Sequence, residues 1–178
     1  MLETMGYIAL GLLVVIGAIL ALAASRPDTF QTARTARIAA PPERLFSLIN
    51  DLRQMNTWNP YALRETTGTT TYKGAANGRG AMFEFAGPKS GTGSIEIVDS
   101  SAPSNVVMRL SMVKPFKADN TVRFTLLPEG SATAVTWAMS GRQPLLAKVM
   151  TLFINCDRMV GRDFEQGLAN LKAIAERA

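Results

Sequence analysis

Hydrophobic and polar residues follow three different patterns along the chain, and each pattern predicts a different kind of element. Residues 4–25 contain no charged side chain and no regular polar face, which is typical of a helix surrounded by lipid. From about residue 61 to 140 apolar and polar positions alternate, which predicts β-strands. From Pro144 to about Glu176 the apolar positions recur at steps of three and four, which predicts one long amphipathic helix.

The alternating region is divided by glycine- and proline-rich turns at intervals of about ten residues, which is typical of an antiparallel meander. Five of its strands place their apolar residues on a single face, so the sheet is expected to have one buried and one solvated side. The inward sets are Phe83 and Phe85; Ile95 and Ile97; Met108, Leu110 and Met112; Val122, Phe124 and Leu126; and Val135, Trp137 and Met139.

Shorter elements are predicted ahead of the meander. Residues 29–39 alternate and predict a first strand, and Pro41-Pro42 with Glu43 is typical of a helix start. A second short helical turn carries Met55 and Trp58, and we expect Asn59-Pro60 to end it.

These elements together predict an α+β fold, in which a curved antiparallel sheet is covered by the long C-terminal helix. The helix is expected to turn an apolar stripe toward the sheet: Leu145, Val149, Leu152, Cys156, Val160, Phe164, Leu168 and Leu171. We expect two parts, a transmembrane anchor at 4–25 and a folded domain at 26–178.

The apolar run at 4–25 is interpreted as a retained single-pass anchor. The alternative is a cleaved secretory signal, because Ala21-Leu22-Ala23 resembles a cleavage site; a periplasmic or secreted domain would follow. The residues before the run include Glu3 and no Lys or Arg, which favours the anchor. Because Arg26, Arg34 and Arg37 follow it, we expect the C-terminal domain on the cytoplasmic side of the inner membrane.

Composition narrows the chemistry. Of the 178 residues, none is histidine and one is cysteine, which excludes Ser-His-Asp and Cys-His catalysis, zinc–thiolate sites and disulfide frameworks. The chain carries 19 Lys and Arg against 14 Asp and Glu, and all the basic residues follow the apolar run. They are scattered singly, so we expect affinity for anionic membrane surfaces rather than for nucleic acid.

Several short segments resemble the START-like, SRPBCC superfamily, often labelled polyketide cyclase/dehydrase, and in particular its small bacterial membrane-anchored members. The resemblance covers about residues 30–177. It is carried by segments 38–43 (IAAPPE), 58–60 (WNP), 78–81 (GRGA), 114–116 (KPF), 120–121 (NT), 135–137 (VTW) and 159–165 (MVGRDFE). Many relatives have a second Trp after the WNP corner, where this chain has Tyr61.

The resemblance implies a helix-grip fold with a hydrophobic cavity between the sheet and the long helix. The superfamily includes lipid-transfer domains, a coenzyme Q chaperone and aromatic polyketide cyclases, so the fold does not fix the function. Residues expected to face a ligand are Trp58, Phe83, Phe85, Ile97, Met108, Leu110, Met112, Phe124, Trp137, Met139, Phe153, Cys156 and Met159. The same residues would equally form a closed core without a cavity.

Three candidate residues need separate treatment. Trp58 is expected either at the mouth of the cavity or as a buried packing residue. Cys156 has no histidine to activate it and is interpreted as an apolar filler. Asp163 is expected to form a structural ion pair with Arg34 or Arg37.

The favoured function is a membrane-tethered module that binds or carries a lipid, an isoprenoid quinone or a polyketide-like molecule. An aromatase/cyclase-type enzyme is the alternative, although no catalytic acid–base pair can be assigned from the sequence. A third possibility is an interaction protein with a filled core that acts through its basic outer face. No metal and no cofactor is expected, the expected partners are the membrane and an apolar small molecule, and the oligomeric state is left open.

Overall fold

The computed structural model describes residues 2–177; Ala178, the last residue of the predicted domain, lies outside the described residues. The elements run in the order α1 (Leu2–Ala24), β1 (Thr29–Ile38), α2 (Pro42–Asn50), α3 (Leu52–Met55), α4 (Pro60–Arg64), β2 (Thr69–Gly74), β3 (Ala81–Gly87), β4 (Gly91–Ser101), β5 (Asn105–Lys114), β6 (Ala118–Glu129), β7 (Ala132–Arg142), α5 (Leu145–Phe153) and α6 (Cys156–Ala175).

These elements form two compact units, a larger one at residues 31–141 and 157–177 and a smaller one at residues 2–30 and 142–156. The smaller unit contains α1 and α5, which pack against each other. Thr4–Ala24 is long and apolar enough to cross a membrane, with a mean hydropathy of 2.7.

The larger unit is built on a curved seven-stranded antiparallel sheet in the order β1-β7-β6-β5-β4-β3-β2. Strands β2 to β7 are sequential neighbours, as expected of a meander, and β1 returns to pair beside β7. The buried apolar side chains of the inner sheet face pack with those of α2, α3 and α6 in one core. This arrangement confirms the predicted α+β helix-grip fold.

Helix α6 covers the sheet with the apolar stripe that its sequence predicts. Phe164, Leu168, Leu171 and Ala175 are all at least 96% buried. Arg34 on β1 reaches α6 beside this stripe: its Nε donates to Glu165 over 2.8 Å and its Nη2 to Asp157 over 3.2 Å. These ion pairs fix α6 beside the edge strand β1.

One local prediction was wrong and a second was incomplete. The single helix from Pro144 is two helices, because Ile154 is extended and Asn155, a residue that favours helix starts, stands directly before α6. The helical turn that carries Met55 and Trp58 does stop before Asn59-Pro60, but the same two residues also begin a new helix, α4, which was not predicted. The Asn59 side chain accepts a hydrogen bond from the Tyr61 amide over 3.1 Å, and Pro60 occupies the first helical turn, where its missing N–H costs nothing.

Candidate functional site

A cavity of about 420 Å³ lies inside the larger unit, between the inner face of the sheet, α3, α4 and Phe164 of α6. A void of this volume falls within the range of small-molecule binding sites. Its wall is mainly apolar and rich in aromatic rings: Tyr61, Tyr72, Phe83, Phe85, Trp137 and Phe164. The inner face is therefore not a completely filled core.

Six of the predicted ligand-facing residues line this cavity: Phe83, Phe85, Leu110, Met112, Trp137 and Met139. They come from β3, β5 and β7, and they share the inward face because side chains alternate along a strand. Whether they contact a ligand stays a prediction.

Four other predicted residues belong to the packed core and are not among those that line the cavity: Trp58, Ile97, Met108 and Phe124. Ile97 and Met108 are direct partners across β4 and β5, and α2 packs on β5 and β6 in this part of the unit. Trp58 is the buried packing residue of the two alternatives. Its Nε1 donates to the Leu48 carbonyl over 3.0 Å, and its ring meets Phe124 edge to face.

The remaining three predicted residues lie on or near the helix break. Phe153 is 72% exposed at the end of α5, and Cys156, at the start of α6, is half-buried in the smaller unit. Met159 of the larger unit is 58% exposed and is not among the cavity-lining residues, so its contact with a ligand stays a prediction. It stands about 140° around α6 from the buried Phe164, which turns it toward solvent.

The inner wall is organised by an aromatic stack. The rings of Trp137 and Phe164 lie parallel, with centroids 4.4 Å apart and an interplanar angle of 10°. Trp137 also contacts Phe124 at 5.0 Å and meets Trp58 edge to face at 5.8 Å. Gly167, on α6, allows this close approach, because a Cβ there would lie 2.5 Å from the Trp137 ring.

A polar cluster stands at one side of the cavity wall, where α4 meets α6. Arg64 Nη2 donates to Asp163 Oδ2 over 2.9 Å, and the Tyr61 hydroxyl also donates to Asp163. Burial raises the pKa of Tyr61 well above its ordinary value, and the negative charge of Asp163 and this hydrogen bond raise it further. Tyr61 is therefore a protonated phenol at neutral pH.

The ion pair of Asp163 corrects the expectation that it meets Arg34 or Arg37. Arg34 packs on the side of α6 that contains Gly161, together with Asp157 and Glu165 one turn to either side. Residue 163 lies about 200° around the helix from residue 161, so it faces α4 instead.

A second polar contact closes the rim of the cavity. Glu65, directly after α4, accepts hydrogen bonds from the amides of Lys89 and Ser90, each over 2.9 Å, and from the Ser90 hydroxyl over 3.0 Å. The Ser90 amide contributes most to lowering the pKa of Glu65 to about 2. The carboxylate thus ties α4 to the turn between β3 and β4.

Tyr61, Arg64 and Glu65 were not predicted as site residues, whereas Asp163 was predicted to form an ion pair. Tyr61 and Glu65 follow Pro60, which was interpreted as a break, and Asn59 directly precedes it, so no element was assigned to carry them. The usable signal was Asn59-Pro60 itself, a helix cap followed by a proline in the first turn.

Two polar atoms in the cavity wall have no hydrogen-bond partner within residues 2–177: the Trp137 indole nitrogen and the Asn56 amide oxygen. The amide nitrogen of Asn56 does have one, since it donates to the Tyr72 hydroxyl over 3.0 Å. Buried polar groups are nearly always paired, so an unpaired donor and an unpaired acceptor in one wall call for an explanation.

A metal centre finds no support in this wall. Throughout the part of the chain that the structure describes, no three His, Cys, Asp or Glu side chains stand close enough together to hold a metal ion. Glu65 and Asp163, the carboxylates named above, are both engaged in hydrogen bonds or ion pairs.

Known proteins similar to this chain share its fold. The family model for polyketide cyclase/dehydrase and lipid transport matches residues 29–176. Among solved structures, CV1439 from Chromobacterium violaceum is 18% identical, with a TM-score of 0.59 over 86% of this chain and 100% of its own. No curated protein sequence matches the chain.

Two further neighbours are CalU16 and DynU16. CalU16 from Micromonospora echinospora is 17% identical, with a TM-score of 0.53 over 84% of this chain and 85% of its own. DynU16, from the dynemicin biosynthetic locus, is 17% identical, with a TM-score of 0.58 over 85% of this chain and 48% of its own. At these identities the likeness shows the fold alone.

Proposed function

Because the chain belongs to the polyketide cyclase/dehydrase and lipid transport family, we propose that it binds an apolar small molecule in its cavity and is tethered to a membrane. The observation that carries the proposal is the cavity of about 420 Å³ between the sheet and α6. Its apolar, aromatic wall favours a lipid, an isoprenoid quinone or a polyketide-like ring compound. Met112 and Met139 suit such guests, since thioether chains adapt to different shapes.

The guest carries at least one polar group. An oxygen that accepts a hydrogen bond would pair with Trp137 Nε1, and a hydroxyl would pair with Asn56 Oδ1, which would satisfy the two unpaired atoms of the wall. A molecule with an apolar body and a keto or hydroxyl group meets both requirements, whereas a pure hydrocarbon meets neither.

The tether in this proposal is α1, acting as a retained single-pass anchor, and the domain lies on the cytoplasmic side of the inner membrane. The basic residues that follow α1, beginning with Arg26, support this orientation. A C-terminal reporter that is active only in the cytoplasm tests it. An active reporter supports the proposal, and an inactive reporter with a shortened chain indicates a cleaved signal.

The binding proposal is tested by extracting the full chain in a mild detergent and identifying the small molecules that co-purify by chromatography and mass spectrometry. Ala62→Phe places a phenyl group in the wall of the cavity, and Ala173→Phe makes the same change at an exposed position of α6. We expect one class of apolar guest in the wild type and in Ala173→Phe, and its loss in Ala62→Phe. A wild-type chain that carries no guest contradicts the proposal.

A cyclase-type enzyme is the second candidate, and the cluster of Tyr61, Arg64 and Asp163 is the observation that favours it. The protonated Tyr61 phenol can donate its one O–H to a substrate carbonyl when that carbonyl replaces Asp163 as the acceptor. The raised pKa makes Tyr61 a poor base, and Glu65, with a pKa of about 2, is a poor base as well. Cyclisation also needs a proton acceptor, so the cavity supports binding better than catalysis.

Tyr61→Phe separates the two candidates, because it removes one hydroxyl and keeps the ring. A binding module retains the same guest in this variant. An enzyme that depends on the phenol instead accumulates unreacted substrate, which is heavier than its product by the water lost in a dehydrating cyclisation. The masses of the bound molecules therefore decide between the two.

A further inference from the structure

Helix α5 buries its charged side chain and exposes its large apolar ones, which is the reverse of an amphipathic helix in a water-soluble protein. Its one charged side chain, Lys148, is only 5% exposed. Leu146 is 64% exposed, Met150 39% and Phe153 72%. These three apolar residues recur at steps of four and three, so they form one continuous outward face. Such a face is costly in water, and it identifies α5 as a helix that needs an apolar or amphipathic partner.

The polar side of α5 is held by the segment that leaves α1. Lys148 Nζ donates to Asp28 Oδ1 over 2.6 Å, and the Gln143 amide donates to the Asp28 carbonyl over 2.7 Å. The Gln143 side chain in turn donates to Thr151 over 3.1 Å. The polar side chains of α5 are therefore used internally, and the apolar ones are left facing outward.

The neighbour of α5 within the smaller unit is α1, the candidate membrane span. Ala23, near the C-terminal end of α1, is fully buried, whereas Val15 is 55% exposed and Leu22 60%. The two helices that pack against each other in the smaller unit thus both leave large apolar side chains exposed.

We infer that α5 is an interfacial helix that lies in the headgroup region of the same membrane that α1 spans. Leu146, Met150 and Phe153 enter the boundary of the acyl chains, as the apolar face of an interfacial helix does. Arg26 begins the connection from α1 to β1, and Arg142 begins the connection from β7 to α5. Both are exposed, and their positive charges complement anionic headgroups. The inference rests on the proposed anchoring by α1 and is independent of the guest in the cavity.

Site-directed spin labelling of the full chain tests the inference. In a Cys156→Ser background, single cysteines replace Leu146, Phe153, Val14 or Leu127, and each carries a nitroxide. The labelled chains are reconstituted in vesicles of phosphatidylcholine and phosphatidylglycerol in equal parts. Power saturation then compares collisions of each label with oxygen, which concentrates in lipid, and with a water-soluble nickel complex.

Leu127 is the matched control, because it is an apolar residue 58% exposed on β6 of the larger unit. We expect the logarithm of the oxygen-to-nickel collision ratio to be positive at positions 146 and 153, more positive at position 14, and negative at position 127. Labels at 146 and 153 that behave like the label at 127 overturn the inference while the anchor stands. A label at position 14 that is in water overturns the anchor and the inference together.

The experiment also distinguishes a second possibility, in which another copy of the chain covers the apolar face of α5. In that case the labels at 146 and 153 are shielded from both reagents, and spin–spin broadening between chains increases with protein density in the vesicles. That result also overturns the inference.

Discussion

Gly167→Ala probes how closely α6 is packed against the wall of the cavity. In an unconstrained helix interior, replacing Gly with Ala raises the free energy of unfolding by up to about 1 kcal/mol. Here the new Cβ would lie 2.5 Å from Cζ3 of Trp137 and 3.0 Å from Cδ of Pro60. The gain in helix propensity is therefore opposed by a steric clash with two rigid rings.

The clash is the larger effect, because Trp137 is held by Phe164, Phe124 and Trp58. Overpacking a well-filled core costs typically about 1–3 kcal/mol. Subtracting the propensity gain leaves a net loss of about 1 kcal/mol, which lowers Tm by roughly 2–4 °C for a chain of this size. Trp137 also borders the cavity, so relief of the clash reduces the cavity volume.

The assay is thermal unfolding of the full chain in detergent, followed by circular dichroism. Ala169→Gly, at an exposed position of α6, is the matched control, since it measures the propensity effect alone and should lower the free energy of unfolding by about 1 kcal/mol. If Gly167→Ala instead raises Tm by as much as Ala169→Gly lowers it, the packing of Gly167 against Trp137 described here is incorrect.

Three further substitutions have separate readouts. Glu65→Gln removes a carboxylate acceptor, so the Ser90 amide hydrogen should exchange faster with solvent. In the wild type, protection of the Ser90 amide against exchange should persist through pH 4.5 and be lost only toward pH 2. Trp58→Phe leaves the Leu48 carbonyl unpaired and should cost roughly 1–3 kcal/mol in thermal unfolding. Trp137→Phe removes the unpaired indole donor and should select less polar guests, as measured by mass spectrometry. An unchanged exchange rate of the Ser90 amide, an unchanged Tm or an unchanged guest contradicts the corresponding prediction.

The pH range for Glu65 follows from the direction of its shift. Its carboxyl group has a pKa of about 2 in the folded chain, against an ordinary value of 4.5. A lowered pKa contributes stability that is fully present above the ordinary value and disappears as the pH falls through the lowered one. The hydrogen bonds from Lys89 and Ser90 to Glu65 should therefore persist under mildly acidic conditions.

The fold was predictable from the sequence because alternation and helical periodicity report burial directly. Phe83 and Phe85 or Val135 and Trp137 reveal an inward face, and Phe164, Leu168 and Leu171 reveal a covering helix. Strand β2 was not predicted, because Thr69–Gly74 is an edge strand with little buried surface and shows no apolar phase.

The site was only partly predictable, because alternation tells which face a residue is on and not how far along the strand the cavity extends. Met108 and Met112 have the same phase on β5, yet Met108 is in the core and Met112 lines the cavity. The division depends on where α2 packs on the sheet, which is a tertiary contact. The polar cluster depends in the same way on α4 meeting α6 at Asp163.

Photo-cross-linking in vesicles tests most directly whether an apolar guest occupies the cavity. The full chain is reconstituted with a fatty acid that carries a diazirine on its chain, and the adducts are mapped by mass spectrometry. We predict saturable adducts at Leu110 and Met112 on β5, lost in Ala62→Phe and retained in Ala173→Phe. Adducts confined to α1 and α5, or β5 adducts that persist in Ala62→Phe, would contradict binding in the cavity.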